Sequence, residues 1–507
     1  MQEIQHVAVL DFGSQYTQLI VRRVRELGFF AKLYMPEKLH EIGTPGAIIL
    51  SGGPSSTSDA DAPDIDFELL KSYGVPVLGV CYGMQLLNIK FGGSVKSSKH
   101  REYGQAGLFP VDSTGLYEGI STESQVWMSH SDTVDNLGEN CQIIAINQHN
   151  TPVSLQWGKD FFGIQFHPEV THSHEGTKIL SNFLSYAGEL AKFVIEDFKK
   201  ELIQGIKDKV GDKQVVCGVS GGVDSTVLAV LLNEAGVKVQ AIYVDQGLMR
   251  KNETEEVVAN FKRMNVPIQV VDASERFLTA LAGEADPEKK RKIIGNMFID
   301  VFWDAVGNAD MLAQGTLYPD VIESASNENS KASTIKTHHN RVERILEMQR
   351  EGKVLEPLAE LFKDEVRELG ATMGIQQDIL DRHPFPGPGL AVRCPGDITK
   401  EKLDIIRECD AIFIDELKAS GWYQKTWQAY AGLIPVKTVG VKGDERSYEF
   451  ATNLRAVISE DAMTADWVDL PTPLLRKVSS RILNEVEGIN RVLYDISSKP
   501  PASIEWE

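Results

Sequence analysis

The sequence predicts a multidomain α/β protein with two open, mainly parallel sheets and a smaller α+β region at the end. Two series of short apolar runs, bounded by Gly and Pro, alternate with amphipathic helical patterns, which is typical of α/β folds. The chain has 507 residues, whereas a single hydrophobic core stops growing near about 250 to 300 residues. We therefore expect three domains, over residues 1–190, 191–393 and 394–507.

The first series predicts a strand at 6–10, a helix at 16–27, and strands at 47–50 and 75–80. Further short strands without long helices between them are predicted at 125–128, 143–147 and 162–165. A long amphipathic pattern over 179–210 carries charge on one face and aromatic or aliphatic side chains on the other. This pattern predicts a single helix that bridges the first two domains.

The second series begins at residue 214 and predicts another parallel sheet. Its strands are expected at 214–219, 239–244, 268–271 and 311–314, and its helices at 225–234, 254–264 and 287–306. A Pro-rich stretch over 383–395 marks its end. The last region is predicted to contain helices at 400–419 and 473–486 and strands at 438–441 and 491–496.

Composition excludes several classes of partner and location. The net charge of -20 would repel a nucleic-acid backbone, and no basic run offers a stripe for it, so nucleic acid is not an expected partner. No apolar run approaches the roughly 18 residues of a membrane span, and we expect a cytoplasmic protein. The 5 cysteines form no C-x-x-C pair, which favours reduced thiols over a zinc site or a disulfide framework.

One cysteine, Cys81, lies in a G-x-C-x-G frame between a predicted buried strand and an amphipathic helix. Small neighbours relieve crowding in such a turn, and the amino-terminal end of the helix dipole favours a thiolate. A lone cysteine is more often a buried structural residue. The frame instead favours a nucleophile.

A base for this thiol is predicted at His167, with Glu169 two positions further along the end of a strand. Side chains at i and i+2 share one strand face, so the carboxylate can hold the imidazole while the imidazole accepts the thiol proton. The turn that contains Gly53 can direct N–H groups at an oxyanion, together with the amide of Tyr82. A plain Gly-Pro turn is the alternative interpretation of that segment.

These motifs resemble the class I glutamine amidotransferase family over residues 1–190. The resemblance implies glutamine hydrolysis through a thioester, with Cys81 as nucleophile, His167 as base and Glu169 as its orienter. It implies that Gly53 and Tyr82 supply the oxyanion amides. The residues that it places near bound glutamine are Gln85, Ser129 and His130.

The strand at 214–219 continues directly into the sequence S-G-G-V-D-S-T, which begins a helix. Glycines allow close approach of phosphate, hydroxyls can donate to it, and a helix amino terminus favours anions. The carboxylate of Asp224 would repel phosphate unless a cation lay between them, so we infer Mg²⁺ there. A glycine-rich helix cap without function is the alternative. The predicted ATP-binding residues of this loop are Ser220, Gly221, Gly222, Val223, Asp224, Ser225 and Thr226.

The S-G-G-x-D-S pattern resembles the ATP pyrophosphatase family, which cleaves ATP between the α and β phosphates and adenylates its substrate. The loop lacks the Lys of a kinase-type P-loop. Open α/β sheets bind ligands at the carboxyl ends of their strands. Asp245 and Gly315 follow two such strands and are therefore candidate nucleotide contacts.

Three further stretches, at 314–324, 383–390 and 498–507, resemble the glutamine-hydrolysing GMP synthetase family, and the likeness covers essentially the whole chain. It implies ammonia transfer to ATP-activated XMP and a homodimer formed through the last domain. The XMP contacts that it implies are Lys336, Pro386, Gly387, Pro388, Lys499 and Glu505. Residues 341–353 depart from the family pattern, which leaves the contacts of a lid there open. On physical grounds alone, a connecting Pro-rich loop and a solvated tail are the alternatives.

Three other functions are compatible with parts of the sequence. They are an amidotransferase that converts a carboxylate to an amide, a sulfur-using enzyme that modifies tRNA, and a sensor of glutamine or nucleotides without chemistry. The acidic charge and the absence of C-x-x-C disfavour the second, and the intact Cys81, His167, Glu169 and Asp224 disfavour the third. Whether ammonia would pass through a channel or by domain closure stays open at this point.

Overall fold

The computed structural model describes residues 5–14, 16–57, 59, 61–307, 309–317, 348–442, 444–459 and 464–507. The chain divides into two compact units, Met1–Val194 and Ile195–Glu507. The predicted α/β class is confirmed, with one large mixed sheet in the first unit and a parallel sheet in the second.

The first unit is built on a nine-stranded sheet in the order β2-β1-β3-β4-β9-β8-β7-β5-β6. Its strands are β1 His6–Leu10, β2 Ala31–Tyr34, β3 Pro45–Leu50, β4 Val77–Val80, β5 Ser94–Pro110, β6 Ser124–Asn136, β7 Cys141–Asn147, β8 Pro152–Trp157 and β9 Phe161–Ile164. Its helices are α1 Thr17–Glu26, α2 Phe67–Ser72, α3 Tyr82–Lys90 and α4 Gly176–Leu184. Successive side chains of β1 enter two different cores, as expected for a strand covered on both faces.

Five strands of this sheet, β2, β1, β3, β4 and β9, are parallel neighbours. The other four pair antiparallel, and the long β5–β6 pair extends the sheet at one edge. The sequence pattern did not predict β5 or β8, so this antiparallel part is larger than expected.

The single helix predicted over 179–210 is wrong. Helix α4 ends at Leu184, and ten residues separate it from the next helix, α5 Ile195–Val210. Between them the backbone bonds to the edge of the first sheet instead of to itself: Ala191 N donates to Gln5 O at 2.9 Å, and Phe30 N donates to Ala191 O at 2.8 Å. The ring of Phe193 stacks on Phe30 with centroids 6.5 Å apart. Phe193 therefore belongs to an extended segment, whereas Ile195 and Phe198 of the same pattern are buried residues of α5.

The second unit contains a five-stranded parallel sheet in the order β12-β11-β10-β13-β14. The elements of this part are β10 Gln214–Val219, α6 Val223–Glu234, β11 Lys238–Asp245, α7 Glu253–Arg263, β12 Ile268–Asp272, α8 Ser274–Leu281, α9 Pro287–Val306, β13 Met311–Ala313, β14 Val354–Leu355, α10 Lys363–Thr372 and α11 Gln377–Leu380. Helix α9 has the predicted bounds because the Asp286 carboxylate caps it by accepting from Lys289 N at 2.9 Å.

The last region forms a second sheet, in which β15 and β17 pair antiparallel with β16 while β18 pairs parallel with it. Its elements are α12 Lys400–Ala419, β15 Gln428–Lys442, β16 Glu445–Ile458, β17 Asp466–Trp467, α13 Thr472–Glu485 and β18 Ile489–Tyr494. One hydrophobic core extends from Val216 in β10 to Ile489 in β18. The division into domains 191–393 and 394–507 stays a prediction, and its boundary falls inside this shared core.

All five cysteines are free thiols. Among the described residues, no helix has both the length and the apolar character needed to cross a bilayer.

Candidate functional site

Cys81 lies at the turn between β4 and α3 with φ 51° and ψ -103°, a backbone conformation that L residues rarely adopt. Two backbone hydrogen bonds hold this turn, from Cys81 N to Ile164 O at 2.7 Å and from Gly83 N to Ser51 O at 3.1 Å. A Cβ at Gly79 would lie 2.5 Å from Gly83 O, and a Cβ at Gly83 would lie 2.5 Å from Leu50 O. The two glycines of the frame are therefore required by close backbone packing, and the strained turn presents the thiol at the end of the strand.

The predicted base and orienter lie together. His167 Nδ1 is 2.7 Å from Glu169 Oε1, and both side chains are buried. Burial opposes a charge on the imidazole, but the Glu169 carboxylate and hydrogen bonds with Cys81 and Glu169 outweigh it, so the pKa of His167 is raised well above its ordinary value. This environment favours an imidazolium next to the sulfur.

Gln165 was not predicted from the sequence. Its Nε2 lies 3.6 Å from Cys81 Sγ, and its Oε1 accepts from Gln85 Nε2 at 3.2 Å. Gln85 Nε2 also donates to Asp132 O at 2.9 Å. Gln165 is only two positions from His167, and that proximity was the sole signal available in the sequence.

A cavity of about 360 Å³ opens over the thiol. The sequence-predicted residues that line it are Gly53, Cys81, Tyr82, Gln85, Ser129, His130 and His167. Glu169 lies behind the imidazole and does not line the cavity. Position 53 must be glycine, because a Cβ there would lie 2.7 Å from Phe12 O. Tyr16, which lies in none of the predicted motifs, also lines this cavity.

A second cavity, of about 510 Å³, lies in the second unit at the loop between β10 and α6. Residues of that loop and of the Pro-rich stretch face each other across it, and the sequence-predicted members are Ser220, Gly221, Gly222, Val223, Asp224, Pro386, Gly387 and Pro388. Gly221 has φ +76°, and a Cβ there would lie 2.6 Å from Val257 Cγ2. The loop conformation therefore depends on this glycine.

Four predicted nucleotide contacts lie outside the lining of this cavity. Ser225 Oγ accepts from Ser220 N at 3.2 Å, and Thr226 Oγ1 donates to Gly222 O at 2.7 Å, so both hydroxyls shape the loop. Asp245 accepts from Thr254 Oγ1 at 2.6 Å and from Gly247 N at 2.8 Å. Gly315 packs against the loop, since a Cβ there would lie 3.5 Å from the carbonyl carbon of Asp224.

Two basic side chains that belong to no predicted motif lie next to the 220–226 loop. Arg382 NH1 donates to Gly221 O at 2.8 Å, and its NH2 pairs with Glu253. Burial opposes the guanidinium charge, but Glu253 outweighs it, and the pKa of Arg382 is raised. Lys363 Nζ lies 3.6 Å from Asp224 Oδ2. A cavity with this charge suits a polyphosphate.

The residues around the loop fit a cation that is held mainly by the phosphate oxygens of a bound nucleotide. No group of three or more His, Cys, Asp or Glu side chains in the described ranges is arranged to hold a metal ion, so a cage made of protein ligands alone does not exist there. Asp224 supplies one partly exposed carboxylate at the phosphate loop. Mg²⁺ is commonly bound in this way, by one or two carboxylates and phosphate oxygens.

Side-chain hydrogen bonds hold the tail, residues 498–507, beside the Pro-rich stretch. Glu505 accepts from Arg393 NH2 at 2.9 Å and Nε at 3.0 Å and from Gln428 Nε2 at 2.7 Å. The Arg393 guanidinium lies 5.0 Å from the centre of the Phe385 ring. Lys499 pairs through its backbone with Ala465. Lys336 lies outside the described residues.

Comparisons with known proteins extend over the whole chain. Residues 8–187 match the model of class-I glutamine amidotransferases, 194–285 that of the PP-loop domain, and 415–506 that of the GMP synthase C terminal domain. The chain is 51% identical to a glutamine-hydrolysing GMP synthase of Thermosipho melanesiensis, and the match covers 99% of each chain. It is 51% identical to that of Chlorobaculum tepidum, with the same coverage of both chains. A solved glutamine amidotransferase of Thermotoga maritima aligns with 40% of this chain and 86% of its own, at 20% identity and a TM-score of 0.28.

Proposed function

This chain belongs to the family of glutamine-hydrolysing GMP synthases, and we propose that it makes GMP at two sites, a glutaminase site at Cys81 and an adenylating site at the 220–226 loop. The enzyme is a ligase that takes its amino group from glutamine and uses ATP as cosubstrate. One observation supports the assignment of two sites. The chain carries a buried imidazole–carboxylate pair next to a strained cysteine, and it also carries a glycine-rich loop with basic residues around it.

At the first site, the Cys81 thiolate attacks the side-chain amide carbon of glutamine, ammonia leaves, and water hydrolyses the thioester to glutamate. His167 accepts the thiol proton and returns it to the leaving nitrogen, while Glu169 holds its Nδ1. We assign the oxyanion to the N–H groups of Gly53 and Tyr82, since Tyr82 begins α3 and its N–H has no acceptor within the helix.

The remaining polar residues of the first cavity serve substrate binding in this proposal. Gln85, Ser129 and His130 line the cavity together with the thiol. The side chain of Gln85 and the Nδ1 atom of His130 are both fixed by the Asp132 carbonyl, each at 2.9 Å. Such fixed groups lower the entropy cost of binding a small polar amino acid.

At the second site, the O2 oxygen of XMP attacks the α-phosphorus of ATP and pyrophosphate leaves. Ammonia then adds at C2 of the purine, and AMP departs to give GMP. The 220–224 loop supports this assignment because its glycines and the start of α6 can approach phosphate closely. We assign XMP to the face formed by Pro386, Gly387 and Pro388, which line the same cavity.

Asp224 is the residue that would hold Mg²⁺ in this proposal. When bound, the ion neutralises charge on the pyrophosphate as it leaves. Two side chains provide positive charge at the loop in addition to the ion. Lys363 lies near the Asp224 carboxylate, and Arg382 donates to the Gly221 carbonyl. Contacts of XMP with Lys336, Lys499 and Glu505 stay predictions, and any contact of Glu505 must use the lone pairs that Arg393 and Gln428 leave available.

We also infer a homodimer formed through the last region. Val439 and Val441 in β15 are 55% and 75% exposed, and Tyr448, the cross-strand partner of Val439, is 59% exposed. These neighbours form an apolar patch on one face of a long hairpin, which a second copy would cover. We place the reaction in the cytoplasm, because a catalytic thiol and four further free cysteines suit a reducing compartment.

Incubation of the purified chain with XMP, ATP, Mg²⁺ and glutamine tests the function, with GMP, AMP, pyrophosphate and glutamate as the expected products. Absence of a guanine nucleotide would refute it, and turnover of a carboxylate in place of XMP would favour the amide-forming alternative. Cys81→Ala should abolish activity with glutamine and retain it with ammonium salts, whereas Asp224→Ala should abolish both. Loss of both activities in Cys81→Ala would contradict the independence of the two sites.

A further inference from the structure

We propose that helix α1 positions the catalytic pair of the glutaminase site, with Tyr16 acting on the imidazole of His167 and Arg23 acting on the backbone of Glu169. The inference rests on the proposed roles of His167 and Glu169. It adds two positioning residues that neither the sequence motifs nor the reaction itself pointed to.

Tyr16 contacts the imidazole directly. It precedes the first residue of α1, and its ring lies edge-on to the His167 ring with centroids 5.0 Å apart and planes at 68°. The backbone at Gly52 approaches the same imidazole, because a Cβ there would lie 3.0 Å from His167 Cε1. The ring is thus limited in rotation by a neighbouring aromatic ring and by the close backbone of the Gly52 turn, which a side chain would crowd.

Arg23 supports the other member of the pair. Its Nε donates to the backbone oxygen of Glu169 at 3.0 Å, while the side chain of Glu169 contacts His167. The guanidinium is itself fixed, because NH1 donates to Glu26 at 2.6 Å. A charged donor on a carbonyl makes a stronger hydrogen bond than a neutral one, and the turn that carries the carboxylate is thereby held to α1.

The two contacts come from α1 and the residue that caps its start. Positions 16 and 23 are two helical turns apart, so Tyr16 and Arg23 point to the same side of α1. A displacement of α1 therefore alters the support of the imidazole and of its carboxylate together. A misplacement of a catalytic group by about 1 Å lowers the rate of an enzyme by up to about 100-fold. A shift of α1 should therefore lower the rate of thioester formation.

Arg23→Met tests the second contact, because methionine keeps much of the side-chain length and removes the donor. We expect kcat with glutamine to fall about tenfold, with a small change in KM and with ammonium-supported GMP formation retained. Arg23→Lys, which keeps a charged donor, should recover part of the loss. Arg22→Met is the matched control, because Arg22 pairs with the same Glu26 carboxylate at 2.9 Å and is more exposed.

A measurement on the Cys81–His167 pair distinguishes a loss of positioning from a general loss of folding. The rate of Cys81 alkylation by iodoacetamide, followed against pH, should shift its inflection to higher pH in Arg23→Met, because a loosely held imidazolium stabilises the thiolate less. Tyr16→Leu should shift the inflection the same way, and Tyr16→Phe, which keeps the ring edge, should restore it. A fall in the reactive fraction without a shift would indicate misfolding and would overturn the inference.

The outcomes of the two proposals are distinguishable. If the wild-type chain does not hydrolyse glutamine, the proposed function fails. If the wild-type chain does so while Arg23→Met and Tyr16→Leu keep its kcat and its alkylation profile, only the positioning role of α1 fails.

Discussion

His167 Nδ1 lies 2.7 Å from Glu169 Oε1, with both side chains enclosed by the first unit. The carboxylate keeps the pKa of the imidazole above its ordinary value despite burial, and the hydrogen bond fixes which ring nitrogen faces Cys81. The proposed reactivity of the thiol therefore depends on a residue that does not line the cavity over Cys81.

Replacement Glu169→Gln should lower kcat with glutamine by about 100-fold or more, because the amide has nearly the same volume but cannot stabilise an imidazolium. Ammonium-supported GMP formation is the internal control and should stay near the wild-type rate. The pKa of His167, followed by NMR of its ring protons, should fall relative to the wild-type value. A variant with full glutaminase activity would contradict the assigned role of Glu169.

Replacement Gly221→Ala should abolish GMP formation with either nitrogen donor. The position has φ +76°, and the added Cβ would lie 2.6 Å from Val257 Cγ2, so the loop or the helix face that carries Val257 must shift. Gly236→Ala is the matched control, because position 236 has φ +71° and open space around its Cβ, which isolates the backbone strain of about 1 to 2 kcal/mol. Equal loss of activity in both variants would indicate strain alone. ATP–pyrophosphate exchange measures the affected step.

His383 should make the stability of the chain depend on pH. Burial, assisted by the charges of Arg250 and Lys418, lowers the pKa of His383 to about 4 although its backbone hydrogen bonds act in the opposite direction. Ala429 N donates to its Nδ1 at 3.2 Å, so the neutral ring carries its proton on Nε2, 2.9 Å from Tyr423 O. The native ring stays neutral while the unfolded chain takes up a proton near pH 6.5. Stability should therefore be lost as the pH falls from about 6.5 towards 4, by up to about 3 kcal/mol.

The variant His383→Asn removes this titration and keeps an acceptor near Nδ1. Its deficit in unfolding free energy relative to the wild-type chain should be large at pH 7.5 and shrink at pH 5, as measured by urea unfolding of the full chain. The exposed His149 provides the matched control, because His149→Asn makes the same chemical exchange outside the core. A constant deficit for His383→Asn would exclude the proposed proton linkage.

Replacement Val441→Asp should convert a dimer to a monomer, because a charge within the exposed hairpin patch would have to be desolvated in the interface. Sedimentation velocity measures the change. Val111→Asp, on the first unit and 62% exposed, is the matched control and should leave the dimer intact. A wild-type monomer, or a dimer that survives Val441→Asp, would refute the interface.

Much of the fold was predictable where local signals agree. Strands β1 and β10 and helices α9 and α12 have the predicted bounds, because their apolar periodicity and their start signals lie within the segment itself. The prediction of one helix over 179–210 failed for the opposite reason: Phe193 stacks on Phe30 and the Ala191 backbone bonds to the edge of the first sheet, contacts that no local pattern reveals.

The amino-acid sequence by itself predicted the groups that we propose to carry the chemistry of both sites, since Cys81, His167, Glu169 and the 220–226 loop lie in short motifs whose local spacing already demands a turn or a strand end. Only the tertiary structure decided which residues hold these groups in place. Gln165 meets Cys81 across 84 positions, Arg382 meets Gly221 across 161, and Arg393 meets Glu505 across 112. Such pairs are selected by the packing of whole elements, and a single sequence holds no local signal for a partner that the folded backbone brings within hydrogen-bond distance.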